Sequence, residues 1–145
     1  MVKNLKKTGI EEYDYNRINW FPGHMNKAIK EIKKKIKLVD IILEVRDART
    51  PLASGNKENY LSHGNKPYLI VINKSNLADP ETVKLWENWF TEQKETFLFI
   101  NALDEKSLLN IVKRSKQILH AHRLKSNPKM RLKTKMKMMI LGLPN

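Results

Sequence analysis

The sequence predicts an α/β fold, a doubly wound and mostly parallel sheet with flanking helices, and three observations carry that prediction. Apolar, β-branched runs alternate along the chain with segments of helical period. The runs at Leu38–Val45 and Pro67–Ile72 are nearly continuous, as expected of strands buried on both faces. Each polar loop with chemical promise directly follows such a run: Arg46–Arg49, Asn73–Asn76, Asn101–Leu103 and Gly142–Asn145. Open α/β sheets bind their ligands beyond the C-terminal ends of the strands, so this shared placement points to one site.

Taken in order, residues 1–18 are polar and irregular and are expected to be an extension, with a domain over 19–145. Asn19-Trp20-Phe21-Pro22-Gly23-His24-Met25 joins two aromatics and a Pro-Gly turn to the start of a helix. Met25, Ala28, Ile29, Ile32, Ile36 and Val39 then recur at three- and four-residue steps, with lysines on the other faces. A strand follows over 38–45, then a loop containing Pro51, then a short helix over 55–63 closed by Gly64. The second strand covers 67–72. Asp79-Pro80 opens a helix, the carboxylate capping free N–H groups and proline fitting the first turn. Its buried stripe is Val83, Trp86, Trp89 and Phe90. A third strand spans 96–100, and Leu108, Ile111, Val112, Ile118 and Leu119 mark another helix over about 104–121. A basic linker over 121–136 precedes a last strand near 137–141.

Composition narrows the partners. The chain has 145 residues, no cysteine and a net charge of +13. Disulfides and thiolate metal sites are excluded, and a reducing, cytoplasmic setting is the expectation. No apolar run reaches membrane-spanning length. Between Lys113 and Lys137 stand ten lysines and arginines and no acid, and the lysine-rich helix after His24 adds a second block. Such a surface fits a phosphate backbone, and structured RNA can be read by shape without a sequence motif.

Two loops and one histidine suggest nucleotide chemistry. Asn73-Lys74-Ser75-Asn76 differs by one residue from the guanine-reading pattern Asn-Lys-x-Asp. An aspartate there accepts hydrogen bonds from both guanine donors, whereas Asn76 offers one acceptor and two donors. That mismatch costs on the order of 1–3 kcal/mol and weakens guanine preference. An ordinary strand-to-helix turn explains the same four residues without a ligand. Gly142-Leu143-Pro144-Asn145, after a hydrophobic run, reads as the first half of a phosphate loop. His24 could position a water or move a proton near neutral pH, or could simply end a stapled helix. Asp47-Ala48-Arg49 reads as an ion-paired surface loop. His120 and His122, two apart on a helix, diverge too far to share a metal, and no metal site is expected.

Together, the Asn19–Met25 string, the Asp47-Ala48-Arg49 loop with Pro51, Asn73-Lys74 and the terminal Gly142–Asn145 resemble the circularly permuted ribosome-assembly GTPases of the RbgA (YlqF) type. The resemblance runs from about Asn19 to Asn145. It implies a P-loop GTPase domain of permuted order that binds the maturing large ribosomal subunit and its rRNA and hydrolyses GTP with Mg2+. It implies a catalytic role for His24 and base reading by Asn73, Lys74, Ser75 and Asn76. Asn101, Ala102 and Leu103 would back the base, and Gly142, Leu143, Pro144 and Asn145 would begin the phosphate loop. The phosphate-loop lysine, the switch regions and the C-terminal helical domain are not in these 145 residues, so this polypeptide alone is expected to be inactive. The competing expectation is a non-enzymatic, basic RNA-binding remnant of such a GTPase.

Overall fold

The computed structural model describes residues 23–55, 65–126 and 135–142. The expected extension over 1–18, the aromatic pair Trp20-Phe21 and the short helix over 55–63 fall outside them, save Gly55. The elements run α1 (Gly23–Ile36), β1 (Ile41–Asp47), β2 (Tyr68–Asn73), α2 (Pro80–Glu92), β3 (Phe97–Phe99), α3 (Glu105–Ser126) and β4 (Met138–Gly142). The four strands form one parallel sheet in the order β3-β2-β1-β4. The doubly wound fold is as the sequence predicts.

Alternation along the strands divides the core into two layers. Leu43, Leu69, Val71 and Ile100 face α3 and pack with Ile111 and Ile118. Ala48, Ile70 and Ile72 face α2 and enclose Phe90, which is fully buried. Around Phe90 the rings of Trp86, Trp89 and Phe97 meet at centroid distances of 6.3, 5.0 and 5.3 Å. Aromatic packing of this kind adds to what burial alone contributes.

Asp79 caps α2 as expected, its Oδ2 accepting the Thr82 N–H at 2.8 Å, with Pro80 in the first turn. The Thr82 N–H and hydroxyl hold the Asp79 carboxyl below its usual range. At the other end, the Glu95 N–H bonds the Phe90 carbonyl and the Lys94 N–H the Thr91 carbonyl. Lys94 closes this turn in the left-handed region, at φ 57°, where glycine is usual.

Several boundaries differ from the sequence reading, each for a physical reason. The first strand starts at Ile41 rather than Leu38, because residues 37–40 turn back on α1 through the Leu38 N–H and the Lys35 carbonyl. Leu38 is consequently exposed. The last helix continues to Ser126, five residues into the expected linker. Arg123 explains this: its guanidinium pairs with Asp40 at 2.9 Å and ties the last turns to the sheet. Within α3, Leu108 and Val112 are exposed and Ser115 takes the fully buried position instead. Ser115 Oγ has no hydrogen-bond partner among the described residues, so it acts as a small spacer under the helix.

Candidate nucleotide-binding site

The chain order places a switch beside β1. From β1 the sheet grows through β2 to β3, and the next strand, β4, joins the opposite side of β1. A crevice at such a reversal, above the C-terminal strand ends, is where α/β sheets hold ligands. The loops after β1, β2 and β3 and the end of β4 all lie on that edge.

Asn73, the last residue of β2, is the joint of the site. Its Oδ1 accepts the Lys74 N–H at 2.7 Å and the Ala102 N–H at 3.0 Å. One side chain thereby fixes the loop after β2 to the loop after β3. The backbone does the same, through the Ser75 N–H to the Ile100 carbonyl at 3.0 Å. Lys74 turns the chain in the left-handed region, φ 63°, and a single 3₁₀ turn, Ser75–Leu77, follows. Asn76 sits exposed in that turn. Asn101 Oδ1 accepts the Leu103 N–H at 3.1 Å, shaping a compact bend that leaves Leu103 at the surface, 91% exposed.

Asp47 ends β1 opposite Asn73, and the Ala48 N–H bonds the Asn73 carbonyl at 2.8 Å. Its carboxylate, 9% exposed, is gripped from two sides. Oδ1 accepts the Arg49 backbone N–H and Nε, each at 2.9 Å. Oδ2 pairs with an Arg49 terminal nitrogen at 2.7 Å and with Lys74 Nζ at 3.3 Å. The Arg49 guanidinium, aided by the Arg49 N–H and by Lys74, holds the Asp47 carboxyl far below the usual carboxylate range against the opposing effect of burial. The ion-paired loop expected from the sequence is therefore present, but it also reaches Lys74 in the loop after β2. Nothing in the linear pattern signalled that contact, since Asp47 ends β1 and Lys74 follows β2.

Behind this loop, Arg46 Nε donates to Glu44 at 2.9 Å, and its guanidinium lies over Phe90. A Cβ at Gly55 would sit 2.8 Å from that guanidinium carbon, so a larger residue there would push the Arg46 side chain aside. Ser54 Oγ accepts the Asp47 N–H at 2.8 Å and completes the closure.

Gly142 is the final residue of β4, paired with Val45, rather than the first residue of a loop. A Cβ there would stand 3.3 Å from the Val45 carbonyl oxygen. Leu143, Pro144 and Asn145 lie outside the described residues. His24 falls in the first turn of α1, and its side chain also lies outside what the structure describes. Among the described residues, Asn73, Lys74, Ser75, Asn76, Asn101, Ala102 and Leu103 are brought together. No group of three or more His, Cys, Asp or Glu side chains among them could hold a metal ion.

No protein-family model matches the chain. It is 38% identical over 128 residues to the Ribosome biogenesis GTPase A of Bacillus pumilus, covering 88% of this chain and 45% of that protein. It is 34% identical to Short integuments 2, mitochondrial, of Arabidopsis thaliana, covering all of this chain and 38% of that protein. The chain thus spans less than half the length of these relatives. Among solved structures, GNP-bound YlqF from T. maritima superposes with a TM-score of 0.57 at 29% identity, over 82% of this chain and 43% of that one.

Proposed function

Because the chain belongs to the circularly permuted GTPases of the RbgA (YlqF) type, we propose that its protein is a ribosome-biogenesis GTPase and that these residues form its guanine-nucleotide base site. The observation that carries this is Asn73 Oδ1 bonding both Lys74 and Ala102, which joins the two loops a purine would lie between. In this reading the Lys74 stem covers one face of the base. Asn76 meets the base edge, and Asn101, Ala102 and Leu103 back it. Leu143, Pro144 and Asn145, directly after Gly142 at the end of β4, begin the phosphate loop. The permuted order supports it, since the base loops precede the glycine at the end of β4. Relatives named as GTPases favour an enzyme over a non-enzymatic remnant.

Magnesium would enter with the nucleotide, to neutralise phosphate charge. The described residues do not fit a site for it: they hold no metal-ligating cluster, and Asp47, the carboxylate on this edge of β1, is engaged by Arg49 and Lys74. The partner proposed is the large ribosomal subunit and its rRNA. It is supported by relatives named for ribosome biogenesis and by the net charge of +13. No helix among the described residues is long and apolar enough to cross a membrane. A cytoplasmic location is proposed from the cysteine-free sequence; a mitochondrial one would follow the relatives that carry that name.

His24 is proposed to position the attacking water. In the full-length protein, His24→Ala is expected to lower ribosome-stimulated GTP hydrolysis by about 10²-fold or more while GDP affinity stays unchanged. Loss of nucleotide affinity instead would make His24 a structural residue, and absence of GDP binding by the wild type would overturn the proposal.

A further inference from the structure

The charge of this chain is segregated along the strand axis. Its nucleotide edge, at the C-terminal strand ends, carries Asp47, Asp79, Glu81, Asp104 and Glu105 against Arg49, Lys74 and Lys106. The opposite edge gathers cations from four separate places. Lys33, Lys34 and Lys35 form the last turn of α1, and Lys37 follows it. Lys66 precedes β2, and Lys135 and Lys137 precede β4. Arg123 and Lys125 lie in the last turn of α3.

Contacts confirm that these segments converge. Arg123 pairs with Asp40, and the same carboxylate accepts the Lys137 N–H at 2.9 Å. Lys66 Nζ donates to the Val39 carbonyl at 2.8 Å, beside Lys37. Between β2 and α3 the edge opens into a groove of about 800 Å³ lined by Lys66, Tyr68, Thr96, Arg114, His122 and Lys125. The acids on this edge are Asp40, Glu92 and Glu95. Asp40 is held by Arg123, and Glu95 accepts the Tyr68 hydroxyl. Among the described residues none of Lys33, Lys34, Lys35, Lys37, Lys125, Lys135 and Lys137 is ion-paired.

Helix dipoles favour cations in the last turns of α1 and α3. They do not explain Lys66, Lys135 and Lys137, which precede strands. Seven unpaired ammonium groups on one edge repel one another, and a polyanion removes that repulsion by displacing counterions. We infer that this edge, opposite the nucleotide site, is where the protein grips the phosphate backbone of folded RNA. The choice of RNA among polyanions rests on the ribosomal reading above. With the base site at the other end, RNA and nucleotide can be held at once without competing for one surface.

The test uses two full-length variants with equal loss of charge. One carries Lys34→Gln, Lys125→Gln and Lys135→Gln, all exposed side chains that bond to nothing in the described structure. The control carries Lys84→Gln, Lys113→Gln and Lys116→Gln, also exposed but away from this edge. Binding to labelled double-stranded RNA is measured over a salt series, with GDP affinity measured in parallel. The edge variant is expected to bind at least ~10-fold more weakly and to lose about two units of log–log salt slope. The control should stay within about twofold of wild type. Equal weakening by both variants, or by neither, overturns the inference. So does a loss confined to anionic lipid vesicles. GDP affinity is expected to be wild-type in both variants. If the wild type binds no GDP, the GTPase reading fails by itself and the RNA comparison still decides the edge.

Discussion

At the scale of single residues, Asp47 is the least expected member of the site. Its carboxylate holds the Lys74 ammonium and so restricts where the lysine stem can lie. Asp47→Asn keeps the shape and removes the charge. The full-length variant is expected to bind GDP about 3- to 10-fold more weakly, an effect the size of one charge-assisted hydrogen bond. In a Lys74→Met background the same change should cost nothing further, because the group it positions is gone. Additive losses in titration calorimetry would instead assign Asp47 to general stability. A pH effect follows as well. The folded-state carboxyl is held far below its unfolded value of about 3.9. Its contribution is therefore complete above about pH 4 and is lost as the pH falls further. Urea unfolding of the wild type should lose stability more steeply below pH 4 than unfolding of Asp47→Asn.

At the scale of elements, period and punctuation in the sequence were reliable where they described one face of one segment. Asp79-Pro80 located the start of α2, and the continuous apolar runs located β1 and β2, because capping and burial act within a few residues. The run at Leu38–Val45 could not reveal that the strand begins three residues late. The turn at 37–40 delays it, and Asp40 in that turn is held by Arg123 and Lys137, which come from far along the chain. Spacing located α3 but did not show which of its faces is covered, for a related reason. Apolar residues at helical spacing fit two faces, and only the sheet beneath decides which is covered. Of the proposed base site, the sequence showed that Asn73–Asn76 and Asn101–Leu103 each follow a strand; the Asp47–Lys74 pair and the two hydrogen bonds of Asn73 it did not show. One element carries a local penalty that can be measured. Lys94 holds a left-handed turn that costs an L-residue roughly 1–2 kcal/mol. Lys94→Gly is accordingly expected to raise stability by about 1 kcal/mol after glycine's greater unfolded-state entropy is counted. An unchanged or lower midpoint in urea would mean that the lysine gains compensating contacts there.

At the scale of the whole molecule, the sheet order and the chain order make one argument. A parallel sheet aligns its strand ends, so residues distant in sequence converge on one edge without direct contact being specified locally. The same geometry sends helix ends and strand starts to the opposite edge, where the lysines collect. The proposed nucleotide and RNA sites thus lie on opposite edges of the described sheet, with a buried core of Ile42, Leu69, Ile70, Ile72 and Phe90 between. β4 marks the lateral limit of the described sheet, with Ile140 exposed while its neighbour β1 is largely buried.

The central claim is that the loop at Asn73–Asn76 reads a guanine base. It is tested most directly by base preference in the full-length protein, measured as affinity for GDP relative to XDP in wild type and Asn76→Asp. A carboxylate at position 76 accepts both guanine donors, whereas xanthine presents an oxygen there. The account predicts that Asn76→Asp shifts the ratio toward GDP by ~10-fold or more. An unchanged ratio would contradict it, because the side chain at 76 would then not face the base.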